Sequence, residues 1–171
     1  MKKAQVPGQI FIYIIAIVVV GFIVVYGYSS IKTFTAKGEQ VEYISFKTAV
    51  ENSIKSLASD YGSVKRPDIG VPSKYTHVCF VDKSNYATGK SNPGSPCNQN
   101  PEETHSPVAC SGWENGRNNV FLLPDGSDSF DVGNIAFGPS TYSVCLKVVN
   151  GKIPLQLEGL GDKVMISNYT V

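Results

Sequence analysis

The four cysteines are the residues of this chain whose types most directly suggest chemistry. Cys97 and Cys110 lie in a long irregular stretch, whereas Cys79 and Cys145 lie in predicted strands. An even number of cysteines can form a disulfide framework, and four allow three different pairings. We favour Cys97 with Cys110, which closes the irregular stretch, and Cys79 with Cys145, which connects two strands of the core.

Zinc binding is the alternative use of these cysteines, with His77 and His105 as further ligands. Zinc is bound tetrahedrally by Cys and His side chains, but structural sites commonly use cysteine pairs spaced by about two to four residues. The sequence contains no such pair. The spacing therefore favours disulfides, and we expect no metal or cofactor.

Asp125, Asp128 and Asp131 form a second group of potential ligands, because they lie close together in a polar segment. Carboxylate oxygens are the ligands that calcium prefers, although this spacing is not that of an EF-hand loop. A solvated acidic turn is the simpler interpretation, and calcium binding stays open.

Catalytic motifs are poorly represented. The sequence contains no phosphate-binding glycine loop, nucleophile elbow or His-Glu-x-x-His motif. The formal net charge is +1, and no basic stripe indicates contact with nucleic acid. We therefore expect neither an enzyme nor a nucleic-acid-binding protein.

The elements that position these residues begin with an apolar segment near the N-terminus. Lys2 and Lys3 precede an uncharged run from Ile10 to Ile31, and a helix needs about 20 apolar residues to cross a bilayer. A secretory signal peptide has a shorter apolar region of about 7–15 residues, followed by a small-residue cleavage site that this run lacks. We therefore predict a retained membrane-spanning helix.

The start of the chain also resembles a known processing motif. The sequence Lys2-Lys3-Ala4-Gln5-Val6-Pro7-Gly8-Gln9-Ile10-Phe11 is similar to the N-terminus of archaeal type IV pilin-like proteins. In that family a prepilin peptidase cuts on the cytoplasmic side, ahead of the hydrophobic segment. The segment then remains as the helix that packs filaments. The resemblance covers only this motif and the apolar run.

The resemblance implies a cleavage site between Ala4 and Gln5, with Gly8 and Gln9 as the alternative site. Cleavage ahead of Gln5 places Gln9 where the family prefers glutamate, Ala4 where it has glycine and Pro7 where it has serine. The family's glutamate pairs with the amine of a neighbouring subunit. The neutral amide of Gln9 offers only a weaker hydrogen bond.

A second helical pattern follows the apolar run. Apolar residues recur at spacings of three and four, which is typical of one face of a helix. They are Tyr43, Phe46, Val50, Ile54, Leu57 and Tyr61. We predict an amphipathic helix that ends at Gly62 and has a break at Gly38.

Residues 63–171 predict a single β-rich domain. The strand candidates are residues 77–81, 120–123, 142–149, 152–157 and 164–167. Asn150-Gly151 predicts a hairpin turn between the third and fourth of these strands. Pro154 predicts that the fourth strand lies at a sheet edge, because proline cannot donate to a ladder. Residues 82–119 predict a long irregular loop.

The fold class that follows is α+β, with a pilin-like arrangement of a long helix packed on a small antiparallel domain. Residues 1–8 form a cytoplasmic processing segment, 9–31 a transmembrane or filament-core helix, 32–62 its amphipathic continuation, and 63–171 an extracellular disulfide-linked domain. Lysines flank both ends of the apolar run, so they do not decide its orientation. The cysteines and the sequon at Asn168, a glycosylation candidate, favour an external domain.

Two functions from different classes fit these features. The first is a structural or adhesive pilin-like subunit that is cut by a prepilin peptidase and self-associates into a surface filament through its N-terminal helix. The second is a monomeric, single-pass membrane-anchored module that binds an unknown extracellular ligand. Trp113 in the long loop is the candidate partner contact, and a buried position at the edge of the loop is its alternative role.

Overall fold

The structure is a computed structural model that describes residues 8–99 and 103–169. The chain divides into two compact units, Met1–Val41 and Glu42–Val171. Helix α1 (Gly8–Ala58) contributes residues to both units. All other described elements belong to the second unit, and they are β1 (Val64–Lys65), β2 (His77–Val81), α2 (Tyr86–Gly89), α3 (Pro107–Glu114), β3 (Val120–Leu123), β4 (Ser129–Phe130), β5 (Ile135–Ala136), β6 (Ser143–Lys147), β7 (Leu155–Gly159) and β8 (Val164–Asn168).

Helix α1 continues through Gly38, so the predicted break at this residue is wrong. A single glycine costs a helix only about 1 kcal/mol relative to alanine, which is not enough to end it. The helix ends at Ala58, and Gly62 follows with a φ of +79°. Tyr61 therefore lies beyond the helix and is 81% exposed, although we predicted it on the apolar face.

The C-terminal part of α1 supplies one side of the hydrophobic core of the second unit. Phe46, Val50, Ile54 and Leu57 are exposed by 1% or less and pack with residues from both sheets. Tyr43 is partly buried against the same cluster. Each fully buried apolar side chain of this size contributes about 1.5–3 kcal/mol. The spacing of these residues thus fixes which face of the helix meets the sheets.

The strands form two sheets. The first has the order β4-β3-β2-β6 and is antiparallel throughout. The second has the order β1-β7-β8-β5, in which only β5 and β8 are parallel. The fold is therefore α+β, with an N-terminal helix followed by mostly antiparallel sheets.

The turn at Asn150-Gly151 forms, but it does not join two strands of one sheet. Both residues have positive φ, and Val149 and Lys152 exchange backbone hydrogen bonds of 2.8 and 3.0 Å. Pro154 then interrupts the ladder, since it has no N–H. Strand β7 begins after this proline and lies between β1 and β8, so the predicted edge position is wrong.

Candidate functional site

The apolar segment of α1 is the first candidate site, and it belongs to the N-terminal unit. Ile10–Ile31 comprises 22 residues with a mean hydropathy of 2.9, which is long and apolar enough to cross a membrane. Its large apolar side chains are between 48% and 72% exposed. A signal sequence would have a similar position and composition. The segment is therefore suited to lipid or to other apolar helices.

The residues of the predicted cleavage sites precede or begin this helix. Ala4 and Gln5 lie outside the described residues. Gly8 and Gln9 are the first two residues of α1.

The two disulfides are the second candidate feature. Cys79 bonds to Cys145 and Cys97 bonds to Cys110, which are the pairings favoured from the sequence. Cys79 and Cys145 stand directly opposite each other on β2 and β6. Since each of the four sulfurs is bonded to its partner in a disulfide, none of them is a zinc ligand. Disulfides of this kind are typical of proteins outside the reducing cytosol.

The Cys97–Cys110 disulfide belongs to a layer that packs on the first sheet. This layer, here called the loop layer, consists of residues 82–119, of which 82–99 and 103–119 are described. Its longest helix, α3, begins with Ser106 as N-cap, whose Oγ accepts a hydrogen bond of 3.2 Å from the N–H of Ala109. Pro107 occupies the first helical position, where its missing N–H is harmless. The prediction of an irregular loop is therefore wrong for these residues, and the Ser-Pro pair is the sequence signal for this helix start.

Trp113 packs the loop layer on the first sheet, where it shares one apolar cluster with Cys79 and Phe121. Its side chain is fully buried, and its Nε1–H donates a hydrogen bond of 2.7 Å to the backbone oxygen of Asp82. The ring of Tyr86 packs edge-on against it at 5.5 Å. A buried side chain cannot be an exposed anchor for a partner, so the proposed contact role of Trp113 is wrong. Its alternative role as a core residue is the one that the structure shows.

His77 lies beneath the loop layer at the start of β2. It is 6% exposed, and its Nε2 lies 3.8 Å from a carboxylate oxygen of Glu103. The ammonium group of Lys147 lies 3.1 Å from the same oxygen. Burial lowers the pKa of His77, and Lys147 adds to this effect, while Glu103 partly opposes it. Among the described residues, the structure does not place His105 in a ligand group with His77.

The lowered pKa of His77 predicts a pH dependence of stability. In the unfolded chain a histidine binds its proton near a pH of about 6.5, whereas in the folded chain it does so only at lower pH. The free energy of unfolding is therefore unaffected by His77 above a pH of about 6.5. It decreases as the pH falls below this value, by at most about 1.4 kcal/mol per pH unit. We expect urea unfolding at pH 7.5 and 5.5 to show this loss, and His77→Gln to reduce it. An equal loss in the variant would contradict this role.

The three aspartates of the acidic turn do not converge. Asp128 accepts hydrogen bonds from the Tyr75 hydroxyl and from Lys74, the latter at 3.0 Å. Asp131 pairs with Lys83 at 2.7 Å. Asp125 accepts the N–H of Ser127, which lowers its pKa. Within residues 8–99 and 103–169, no group of three or more His, Cys, Asp or Glu side chains could hold a metal ion.

Asp128 also influences Tyr75. Burial, together with the hydrogen bond to Asp128, raises the pKa of Tyr75 to about 12. The hydroxyl therefore stays protonated and remains a donor at neutral pH. These bonds tie the segment before β2 to the turn between β3 and β4, which is a structural role.

No protein-family model, curated protein or solved structure matches this chain. Its function must therefore be inferred from its own residues. The apolar segment of α1 and the disulfide-bonded loop layer are the features that such an inference has to explain.

Proposed function

We propose that this protein is a pilin-like subunit of a type IV pilus-type surface filament. In this proposal a prepilin peptidase removes the lysine-containing N-terminal segment, and the apolar part of α1 packs with the same helix of other subunits. The β-rich domain is displayed outside the cell. The role is structural or adhesive and involves no catalysis.

The observation that carries the proposal is the composition of α1. One helix contains both a 22-residue apolar segment and a stripe that forms the core of the folded domain. A membrane anchor attached to a separately folded domain would not need its helix to continue into the core of that domain. The processing motif ahead of the helix and the two disulfides further support a subunit that is exported and retained at the surface.

The deciding experiment determines the mature N-terminus and the mass of the protein from native membranes and from sheared cell surfaces. A chain that begins at Gln5 or Gln9 and sediments with filaments supports the proposal. A chain that retains Lys2 and Lys3 and stays in the membrane as a monomer overturns it. The membrane-anchored binding module is then the better description. If the domain is protected from protease added to intact cells, neither the pilin-like subunit nor the external binding module is correct.

Gln9 provides a test of the assembly step. If Gln9 occupies the position of the family's glutamate, its neutral amide forms a weaker bond with the amine of a neighbouring subunit than a carboxylate would. We expect Gln9→Glu to increase the yield of sheared filaments several-fold, with Gln5 as the mature first residue. Gln40→Glu, which adds the same charge elsewhere on α1, is the matched control. Equal filament yields from both variants would contradict this role of residue 9.

A further inference from the structure

An open groove lies where the Asn150-Gly151 turn meets the end of β8. Its volume is about 720 Å³, which falls in the range of about 300–1,000 Å³ typical of small-molecule sites. Most of its lining is apolar, from Val149, Ile153, Pro154 and Tyr169. Its polar lining residues are Asn150, Lys152 and Asn168. The lining thus combines apolar side chains with a few polar groups.

The walls of this groove are held in place by the surrounding fold. The N–H of Tyr169 donates a hydrogen bond of 3.3 Å to the backbone oxygen of Pro154. The guanidinium of Arg66 lies 5.0 Å from the centre of the Tyr169 ring, and its Nε–H donates a bond of 2.8 Å to Gln156. Cation–π contacts of this kind are worth about 0.5–1 kcal/mol at exposed sites. These contacts orient the Tyr169 ring along the groove that it lines.

The same groove contains the acceptor of the only N-x-Ser/Thr sequon in the sequence, Asn168-Tyr169-Thr170. Asn168 is the last residue of β8 and is exposed, so its amide is accessible to an enzyme. Sequons occur by chance, but here the acceptor residue and the residue that follows it both line the groove. The modification signal and the binding surface therefore coincide.

We propose that Asn168 carries an N-linked glycan whose first sugar lies in this groove. The donor is a sugar carried on a polyprenyl phosphate, and a separate transferase catalyses the step. Nδ2 of Asn168 forms a bond to the anomeric carbon, while the bond from that carbon to the carrier phosphate breaks. The phosphate keeps the electron pair, and Nδ2 gives one proton to a basic group of the transferase. No oxidant or reductant is required.

The lining of the groove matches the chemistry of a sugar. The C–H face of a pyranose ring is apolar and can pack on Val149, Pro154 and the Tyr169 ring. Its hydroxyl groups can bond to the Asn150 amide, which also lines the groove. A covalent link at Asn168 holds the sugar at high effective concentration, so a shallow groove is sufficient.

The test is peptide mapping of the full-length protein recovered from its own cells. Trypsin cleaves after Lys163, so Asn168 lies in the peptide that begins at Val164. We expect this peptide to carry sugar residues, and Asn168→Gln and Thr170→Ala to abolish the added mass. Thr170→Ser preserves the sequon and should preserve the glycan. An unmodified peptide from the native cells overturns the inference.

The glycan rests on the external placement of the domain in the proposed function, and the same sample separates the two. An N-terminus at Gln5 or Gln9 with a bare Asn168 overturns the glycan and leaves the pilin proposal in place. A glycan on a chain that retains Lys2 and Lys3 overturns the pilin proposal and leaves the glycan in place.

Packing of the sugar in the groove is tested by thermal unfolding. The glycosylated protein should have a Tm a few degrees higher than Asn168→Gln. Tyr169→Ala keeps the sequon but removes the wall, so in that background the Tm difference between the glycosylated and the Asn168→Gln protein should disappear. Equal Tm values for the glycosylated protein and Asn168→Gln overturn the packing in the groove.

Discussion

Replacing Gly159 with alanine is expected to destabilise the folded domain by about 3 kcal/mol, at the upper end of the usual effect of overpacking. Gly159 is the last residue of β7 and lies against the C-terminal end of α1. A Cβ atom added there would lie 2.1 Å from the backbone oxygen of Asp60 and 2.4 Å from that of Leu57. Both neighbours are backbone atoms, so no change of side-chain rotamer can make room.

The consequences of this clash extend to the hydrogen bonds that join the helix end to the strand. The N–H of Gly62 donates to the oxygen of Gly159 at 2.8 Å, and the N–H of Gly159 donates to the oxygen of Ser63 at 2.9 Å. Moving α1 away to fit a methyl group would stretch both bonds and separate Leu57 from the core. A net backbone hydrogen bond is worth about 0.5–1.5 kcal/mol, so its weakening adds to the steric effect.

The measurement is denaturant unfolding of the full-length chain in detergent, followed by circular dichroism. Gly138→Ala is the matched control, because a Cβ at Gly138 meets no atom within 4 Å. We expect the control to change the free energy of unfolding by less than about 0.5 kcal/mol. A similarly small change for Gly159→Ala would show that the helix end and β7 do not approach this closely.

The elements that could be predicted from sequence are those with a strong local pattern. The apolar runs of β2 and β3 have the predicted bounds, because both faces of these strands are buried and every residue is apolar or nearly so. The helical stripe from Phe46 to Leu57 is also clear, since its spacing reports a single buried face. These patterns depend on neighbours that are close in sequence.

The elements that could not be predicted lack such a pattern. Strands β1, β4 and β5 have two residues each, too few to show any periodicity. The position of β7 between β1 and β8 depends on pairing with distant residues. An Asn-Gly turn specifies positive φ at both residues, but it does not specify whether the chain returns to the same sheet.

The candidate site shows the same division. The apolar segment and the cysteine pairing followed from composition and from the positions of the cysteines in the chain. The groove at Asn168 did not, because it joins residues 149–154 to residues 168–169. The register that pairs Leu155 with Asn168 brings them together, and this register is a property of the folded sheet.

Trp113 is the clearest case of a residue whose role only the fold reveals. A tryptophan flanked by polar and small residues in a long loop resembles an exposed contact residue. Its burial depends on the loop layer folding back onto β2 and β3, where it joins Cys79 and Phe121 in one apolar cluster. A Cβ added to Gly89 would lie 2.6 Å from the Trp113 ring, so α2 also packs closely on it.

Trp113→Ala is therefore expected to destabilise the domain by about 3–5 kcal/mol, the range for removing a buried large aromatic side chain. It removes the centre of the cluster and leaves the backbone oxygen of Asp82 without its bond from the indole. Trp113→Phe fills part of the space and should lose less. Val108→Ala, on the same helix but at a position that is 52% exposed, should change the free energy of unfolding by less than about 0.5 kcal/mol.

Hydrogen exchange distinguishes local detachment of the loop layer from unfolding of the whole domain in these variants. The Cys97–Cys110 disulfide joins two residues of the loop layer and forms no covalent bond to the sheet. The layer can therefore detach from the sheet while this disulfide stays intact. If Trp113 is the main attachment, the amides of α3 should lose protection in Trp113→Ala at denaturant concentrations where those of β2 and β3 keep it. Unchanged protection of α3 would mean that the disulfide and the Ser106 cap are sufficient, and that Trp113 only fills space.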